Sequence, residues 1–194
     1  IITPLLRKRG VRTLDTLVIS HGDNDHAGGK LSIMKNFSVQ RVISSVPGRV
    51  QNCDSEIRWF VDDIAFEIFS LQAGTGNNGS CLLLLRSQGY GVLITGDIEK
   101  LAEDQLLRMY LPPIEVISVP HHGSRTSSSP GFINHVQLGL AIVSAGFRNR
   151  FNHPDPAVSR RYEKRHVRVL NTAEEGAITL ILGENGIERI ELTR

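Results

Sequence analysis

The chain has 194 residues, 40% hydrophobic and 22% charged, and its 22 basic residues nearly cancel its 20 acidic ones. That balance excludes a disordered or fibrous chain and fits one sizeable core, with little room for a second domain. No stretch reaches the roughly 18 to 20 apolar residues that cross a bilayer, and the opening IITPLLRKRG lacks the order of a signal peptide, so the chain is expected to be soluble as it stands.

Taken in order, the chain begins in what reads as a short helix, without an initiating Met, as a piece of a longer parent would. Apolar runs punctuated by Gly, Pro and Asn follow: TLVIS, RVISS, IAFEIFSL, SCLLLLRS, GVLITGD, EVISVP, LAIVSAG, VRVLNT, AITLIL and IERIEL. Their lengths and β-branched content predict strands. HAGGKLSIMKNF predicts a short helix, IEKLAEDQLLRMY a second with Leu101, Leu106, Leu107 and Tyr110 at helical spacing, and DPAVSRRYEKRH a third with Asp155 near its start and Pro156 just inside it. Strands alternating with helices predict an α/β fold whose sheets are covered by helices. The two cysteines, Cys53 and Cys81, are too few for a disulfide framework and form no CxxC pair, and Cys81 in SCLLLL reads as a small buried hydrophobe.

Clusters rich in His and Asp fall directly after apolar runs: LVIS then HGDNDH, VLIT then GD, VISVP then HHGS, and AIVSAG shortly before NHP. Side chains at the carboxyl ends of neighbouring strands can converge on one cleft. His21, Asp23, Asp25 and His26 supply imidazole and carboxylate donors at a spacing that suits two ions ~3.5–4 Å apart, the separation used by two-metal hydrolases. A polar turn with one capping Asp is the simpler alternative, but a turn needs one such residue and this loop has four. Asp97 alone reads equally as a helix cap; beside the first cluster it reads as the carboxylate that bridges two ions. His121 and His122 are adjacent, and on an extended chain they would face opposite ways, so one of the two is expected to point into the cleft. Ser124, Thr126 and Ser127 offer hydroxyls for phosphate contact. His135 and His166 fit no such pattern and read as structural or surface residues.

His153 sits in RNRFNHPDP with Arg148, Arg150 and Asn152 around it. From 148 to 168 there are seven cations, Arg148, Arg150, Arg160, Arg161, Lys164, Arg165 and Arg168, against Asp155 and Glu163. Such a patch favours a polyanionic partner; a solvated helix face is its plain alternative.

LDTLVISHGDNDHAGG resembles the H-x-H-x-D-H signature of the metallo-β-lactamase fold, with Asp23 where the second His stands. Together with NNGSCLLLL, VLITGD, HHGSRTSSS, NHP and NTAEEGAITL it is similar to the C-terminal hydrolase-like domain of the ComEC family, membrane proteins of bacterial DNA uptake. The resemblance implies a four-layer αββα sandwich with a dinuclear site at one edge and a nuclease acting on DNA, single-stranded DNA in particular, during uptake. Carried over, His21, Asp23, Asp25, His26, Asp97 and His121 or His122 are metal ligands, Asp25 and His153 serve the reaction, and His153 lies near the scissile phosphate. No nucleotide cofactor is expected. A soluble domain of a membrane-bound parent, facing outside the cytoplasm, is the implied location.

Two departures are visible. The family's histidine between the first motif and Asp97 is replaced in GTGNNGS, where Asn78 and Ser80 are poor substitutes for an imidazole, and strands that should precede Ile1 are missing from this sequence. Three carboxylates, Asp23, Asp25 and Asp97, shift the expected pair of divalent ions toward Mn²⁺, with Zn²⁺ as the alternative. A DNA-binding module without turnover, or a free-standing lactonase or thioesterase, are the competing readings.

Overall fold

The computed structural model describes residues 2–48, 50–87 and 89–193. Helix α1 (Ile2–Lys8) leads into strand β1 (Thr13–Ile19), the short α2 (Asn24–Ala27), α3 (Lys30–Asn36) and β2 (Ser38–Ser44). Strands β1 and β2 pair in parallel as a two-stranded sheet, with α3 against β2.

A seven-stranded sheet follows in unbroken chain order: β3 (Ile57–Val61), β4 (Ile64–Phe69), β5 (Leu82–Ser87), β6 (Tyr90–Ile94), β7 (Ile114–Ser118), β8 (Leu138–Val143) and β9 (Arg168–Asn171). Its first four strands are antiparallel and β6 to β9 are parallel. Helices α4 (Lys100–Leu106), α5 (Pro130–His135) and α6 (Pro156–Glu163) form the crossovers between the parallel strands, and α7 (Thr172–Glu175) leads to the hairpin of β10 (Ala177–Gly183) and β11 (Gly186–Thr193).

The two faces of the large sheet follow from the two-residue period of its strands. In β5, Leu82 and Leu84 enter the main core with Ala102 and Leu106 of α4, Phe132 of α5, and Val158 and Tyr162 of α6. Leu83 points the other way, toward Ile43 of β2, Ile57 and Ile68. In β8, Ala141 and Val143 join the helix side, while Leu140 and Ile142 meet Ile178, Leu180 and Ile190 of the hairpin. Helices therefore cover one face, and β1–β2 and the β10–β11 hairpin cover the other.

Several expectations are corrected here. The periodic stretch IEKLAEDQLLRMY is helical only to Leu106, and its buried residues are Ile98, Ala102, Glu103 and Leu106, whereas Leu101 is exposed and Tyr110 is 84% exposed. Strand β3 and helix α5 lie in segments not read as elements; α5 is marked by Ser129, whose side chain caps Phe132 N, and by Pro130 at its first position. Helix α6 starts as read, with Asp155 accepting from Ala157 N.

Cys53 and Cys81 form a disulfide, with Cα atoms 5.8 Å apart, in place of the small buried hydrophobe expected at Cys81. Both sulfurs sit in the core between β2, β3 and β5. The pairing was illegible because 28 residues separate the two positions and only the sheet brings them together. The bond closes a loop long enough that reduction, or the substitution Cys53→Ala/Cys81→Ala, is expected to lower the unfolding free energy by about 3 kcal/mol. Urea unfolding with and without dithiothreitol measures this; coincident curves would refute it.

Candidate metal centre

Three strand ends deliver the donors. Beyond β1 come Ser20 and His21, then Asp23 ahead of α2, which carries Asp25 and His26 in its single turn. Beyond β6 the chain turns at Gly96, with φ of 57°, into Asp97. A Cβ at Gly96 would stand 2.9 Å from Ser80 Cβ and 3.1 Å from Ser20 Cβ, so the turn and the close approach both require glycine. Beyond β7 come His121 and His122, whose φ values of 49° and 53° are left-handed. An extended pair would splay its rings; this one brings both toward Asp97.

His26 Nε2 lies 3.2 Å from Asp97 Oδ1 and 3.8 Å from Asp25 Oδ2. His21 Nε2 lies 3.8 Å from Asp97 Oδ2 and 3.6 Å from Asp23 Oδ2. His122 Nε2 is 3.5 Å from Asp97 Oδ2 and 3.3 Å from Asp25 Oδ2, and His121 Nε2 is 3.9 Å from Asp97 Oδ2. Donor atoms of His21, His26 and Asp97, and again those of Asp25, His26 and His122, lie within 4.8 Å of one another.

The opposite ring nitrogens are anchored. Ser20 Oγ is 3.1 Å from His21 Nδ1 and 3.0 Å from His26 Nδ1. His122 donates through Nδ1 to the Ser144 carbonyl at 2.7 Å, and His121 through Nδ1 to Glu99 Oε1 at 3.2 Å. These contacts turn the Nε2 atoms toward Asp97, the arrangement in which an outer layer orients metal-binding imidazoles. His21 Nε2 is buried without a hydrogen-bond partner, and His26 Nε2 faces His122 Nε2 at 3.3 Å. Ring nitrogens this close, beside a buried carboxylate, fit a cation.

The charges respond to this crowding. Burial, reinforced by nearby His26, holds the His21 pKa below its ordinary value. The hydrogen bond to Asp97 raises that of His26 against the opposing effect of burial. Burial alone would raise the pKa of Asp97, yet its bond to His26 and the neighbouring His122 and His121 bring it below the usual carboxylate value.

Other predicted residues have different surroundings. Asp23 occupies the first cap of α2 but makes no capping hydrogen bond. Asn78 accepts from Glu99 N and Ala102 N, capping α4, while Ser80 Oγ lies 3.4 Å from His21 Nδ1 and accepts from Asp97 N. Neither supplies an imidazole, but Ser80 braces two members of the cluster. Ser127 is 1% exposed and donates to the Pro120 and Ser124 carbonyls, and Ser124 is buried against Thr126, so these two hydroxyls are spent inside the loop, while the exposed Thr126 donates to Glu99. Arg161, counted in the basic patch, donates to the Ser127 and Ser128 carbonyls. Arg148, Arg150 and Asn152 are exposed. His153 stays out of the donor cluster, its ring 6.0 Å from that of His121, and burial followed by the charges of His121 and His122 lowers its pKa. Ser20 and Glu99 were missed; Ser20 meets two imidazoles of its own loop, whereas Glu99 meets His121 only because the loops after β6 and β7 come together.

A model of the metallo-beta-lactamase superfamily matches residues 2–146. The chain belongs to the metallo-beta-lactamase superfamily. Among curated relatives it is similar to competence protein ComA of Neisseria gonorrhoeae, 35% identical over 96% of the chain and 28% of that protein. ComE operon protein 3 of Bacillus subtilis is 29% identical over 92% of the chain and 26% of its own length, and recombination protein 2 of Haemophilus influenzae 32% over 96% and 24%. These relatives bear out the resemblance to the ComEC family, and the chain spans about a quarter of their length. Among solved structures, a CmlA beta-hydroxylase mutant superposes with a TM-score of 0.56 at 13% identity, over 82% of this chain and 43% of the other, a likeness of fold. Superfamily membership points to a metal-dependent hydrolase using divalent ions, and the His and Asp donors fit such ions. Among the described residues no helix is long and apolar enough to cross a membrane.

The HHGSRTSSS loop is pinned from below by Glu103, a fully buried carboxylate that accepts from Ser128 N and, at 2.8 Å, from Ser129 N. Burial raises its pKa above the ordinary 4.5 despite these bonds. The folded chain then holds the proton more tightly than the unfolded chain, so the Glu103 contribution to stability falls as pH rises from 4.5 through the raised value. Glu103→Gln has no such charge to bury. Its stability relative to the parent chain is expected to improve as pH rises above 4.5, read from urea midpoints in a chelator. A difference independent of pH would refute the assignment.

Proposed function

We propose that this chain is a nuclease domain that hydrolyses phosphodiester bonds of DNA during uptake. The observation that carries the reading is the convergence of His21, His26, Asp97, Asp25 and His122 donors, with exposed Arg148 and Arg150 on the loop that carries His153, whose ring lies 6.0 Å from that of His121. Similarity to competence proteins supports DNA as the substrate. His21 and Asp23 would hold one divalent ion, and Asp25, His26 and His122 a second, with Asp97 facing both sets. When bound, such ions supply Lewis-acid charge and lower the pKa of water. Three carboxylates beside three imidazoles favour Mn²⁺ over a purely zinc-like site.

Asp25 is 65% exposed at the mouth of the cluster, where its carboxylate orients and deprotonates the attacking water. The water oxygen bonds to phosphorus as the opposite P–O bond breaks, the proton of the water passes to Asp25, and the departing oxygen takes up a proton from solvent. His153, kept neutral by burial, donates a hydrogen bond to a phosphate oxygen, and Arg148 and Arg150 bind flanking phosphates. The disulfide supports placement outside the reducing cytoplasm, in a parent whose other parts are membrane-bound.

A second reading, a DNA-binding module without turnover, is favoured by one feature: Ser80 stands where an imidazole donor is expected. Cleavage of labelled DNA with added Mn²⁺ or Zn²⁺ separates the two. Asp97→Ala is expected to lose bound metal and at least about 100-fold in rate. DNA affinity without metal-dependent cleavage would establish the binding module, and equal cleavage by Asp25→Ala/Asp97→Ala would overturn the nuclease.

A further inference from the structure

Between β8 and α6 the chain reads FRNRF, residues 147–151, directly before Asn152 and His153. Phe147 is 76% exposed and Phe151 63% exposed. Neither is a floppy tip, because Asn149 closes the loop on itself. Its side chain accepts from His153 N at 2.8 Å and donates to the His153 carbonyl at 2.8 Å and the Gly146 carbonyl at 3.2 Å. Its own N–H also meets the Gly146 carbonyl, and Asn152 N meets the Asn149 carbonyl. Two large apolar rings are thus held in water by a built turn, where a solvated loop would carry polar side chains.

Each ring is paired with a cation. The Arg148 guanidinium lies 5.1 Å from the Phe147 centroid and that of Arg150 4.7 Å from Phe151. Phe151 also stacks on His153, with centroids 5.7 Å apart and planes at 18°. From there the ring row continues through His121 at 6.0 Å and His122 at 6.4 Å to the donor cluster. Phe147, Arg148 and Asn152 border an open cavity of about 590 Å³ that also takes in Ser159 and Arg160.

We infer that Phe147 and Phe151 form a base-stacking platform that seats two unpaired bases of a nucleic-acid strand and leads its backbone to the metal centre. Alternating aromatic and cationic side chains match a ligand that alternates π-faces and phosphates. An arriving base competes with the guanidinium for the ring face and releases it to the neighbouring phosphate. Bases already stacked within a duplex have no free face to offer, so the platform selects single strands. An apolar protein partner fits poorly, since three polar residues separate the rings and cations surround them. The platform deepens the nuclease reading and rests on it for the strand's destination, but stacking itself requires neither metal nor turnover.

The test is binding of the 194-residue chain in a chelator to labelled single strands of about twelve nucleotides, compared with abasic strands of equal length. The parent chain is expected to prefer base-bearing strands by roughly tenfold per ring, and Phe147→Ala and Phe151→Ala each to lose about that factor. Phe151→Trp should keep the preference and Phe151→Leu lose it, while abasic strands bind every variant alike. Unchanged melting temperatures would show that these exposed substitutions leave the fold intact. Equal binding of base-bearing and abasic strands by the parent chain, or unaltered preference in both alanine variants, would overturn the platform. Metal-dependent cleavage assayed on the same protein separates the two ideas: base preference without cleavage removes the nuclease alone, and cleavage without base preference removes the platform alone.

Discussion

The carboxylate of Asp97 is the charge around which the molecule is arranged. It is 4% exposed, yet four imidazoles, from His21, His26, His121 and His122, lie within 4 Å of it. A buried anion is costly unless paired, and a buried imidazole nitrogen without a partner is costly in turn. Each of these groups is tolerable because the opposite charge and hydrogen bonds of the others offset its desolvation. The same convergence that makes the cluster expensive makes it chemically capable.

Topology supplies that convergence. Strands β6, β7 and β8 run in parallel, so the segments leaving them emerge at one edge, and β1 brings its own loop there from the other sheet. Helices α4, α5 and α6 cover the opposite face and hold the strand ends in place through one continuous core. The edge is then refined by contacts that serve no core: Ser20 and Ser80 against His21, Glu99 against His121, and the Ser144 carbonyl against His122. Each fixes which nitrogen is turned inward.

The loop after β8 extends the same edge outward. Asn149 sets its shape, and that shape leaves His153 on the inner side and Phe151 on the outer. Polar residues that look alike in a string thus part company. Arg148 and Arg150 face solvent, whereas Arg161 is consumed by two backbone carbonyls, and Ser127 is sealed into its own turn.

Much was legible along the chain because it depends on near neighbours. Strand runs declare themselves by β-branched composition, α6 by Asp155 and Pro156 at its start, and HGDNDH by four donors packed too densely for a turn. Those patterns determined an α/β chain with metal-binding chemistry at its strand ends. What the string could not carry is any relation between distant residues whose partners are set by sheet order. The Cys53–Cys81 bond, the left-handed turn that aims both His121 and His122 inward, and Asn78 as a cap for α4 all belong to that class. Local composition fixes which chemistry a segment can offer, but only the packed sheet decides which atoms are close enough to use it, because distance and burial are properties of the assembled chain.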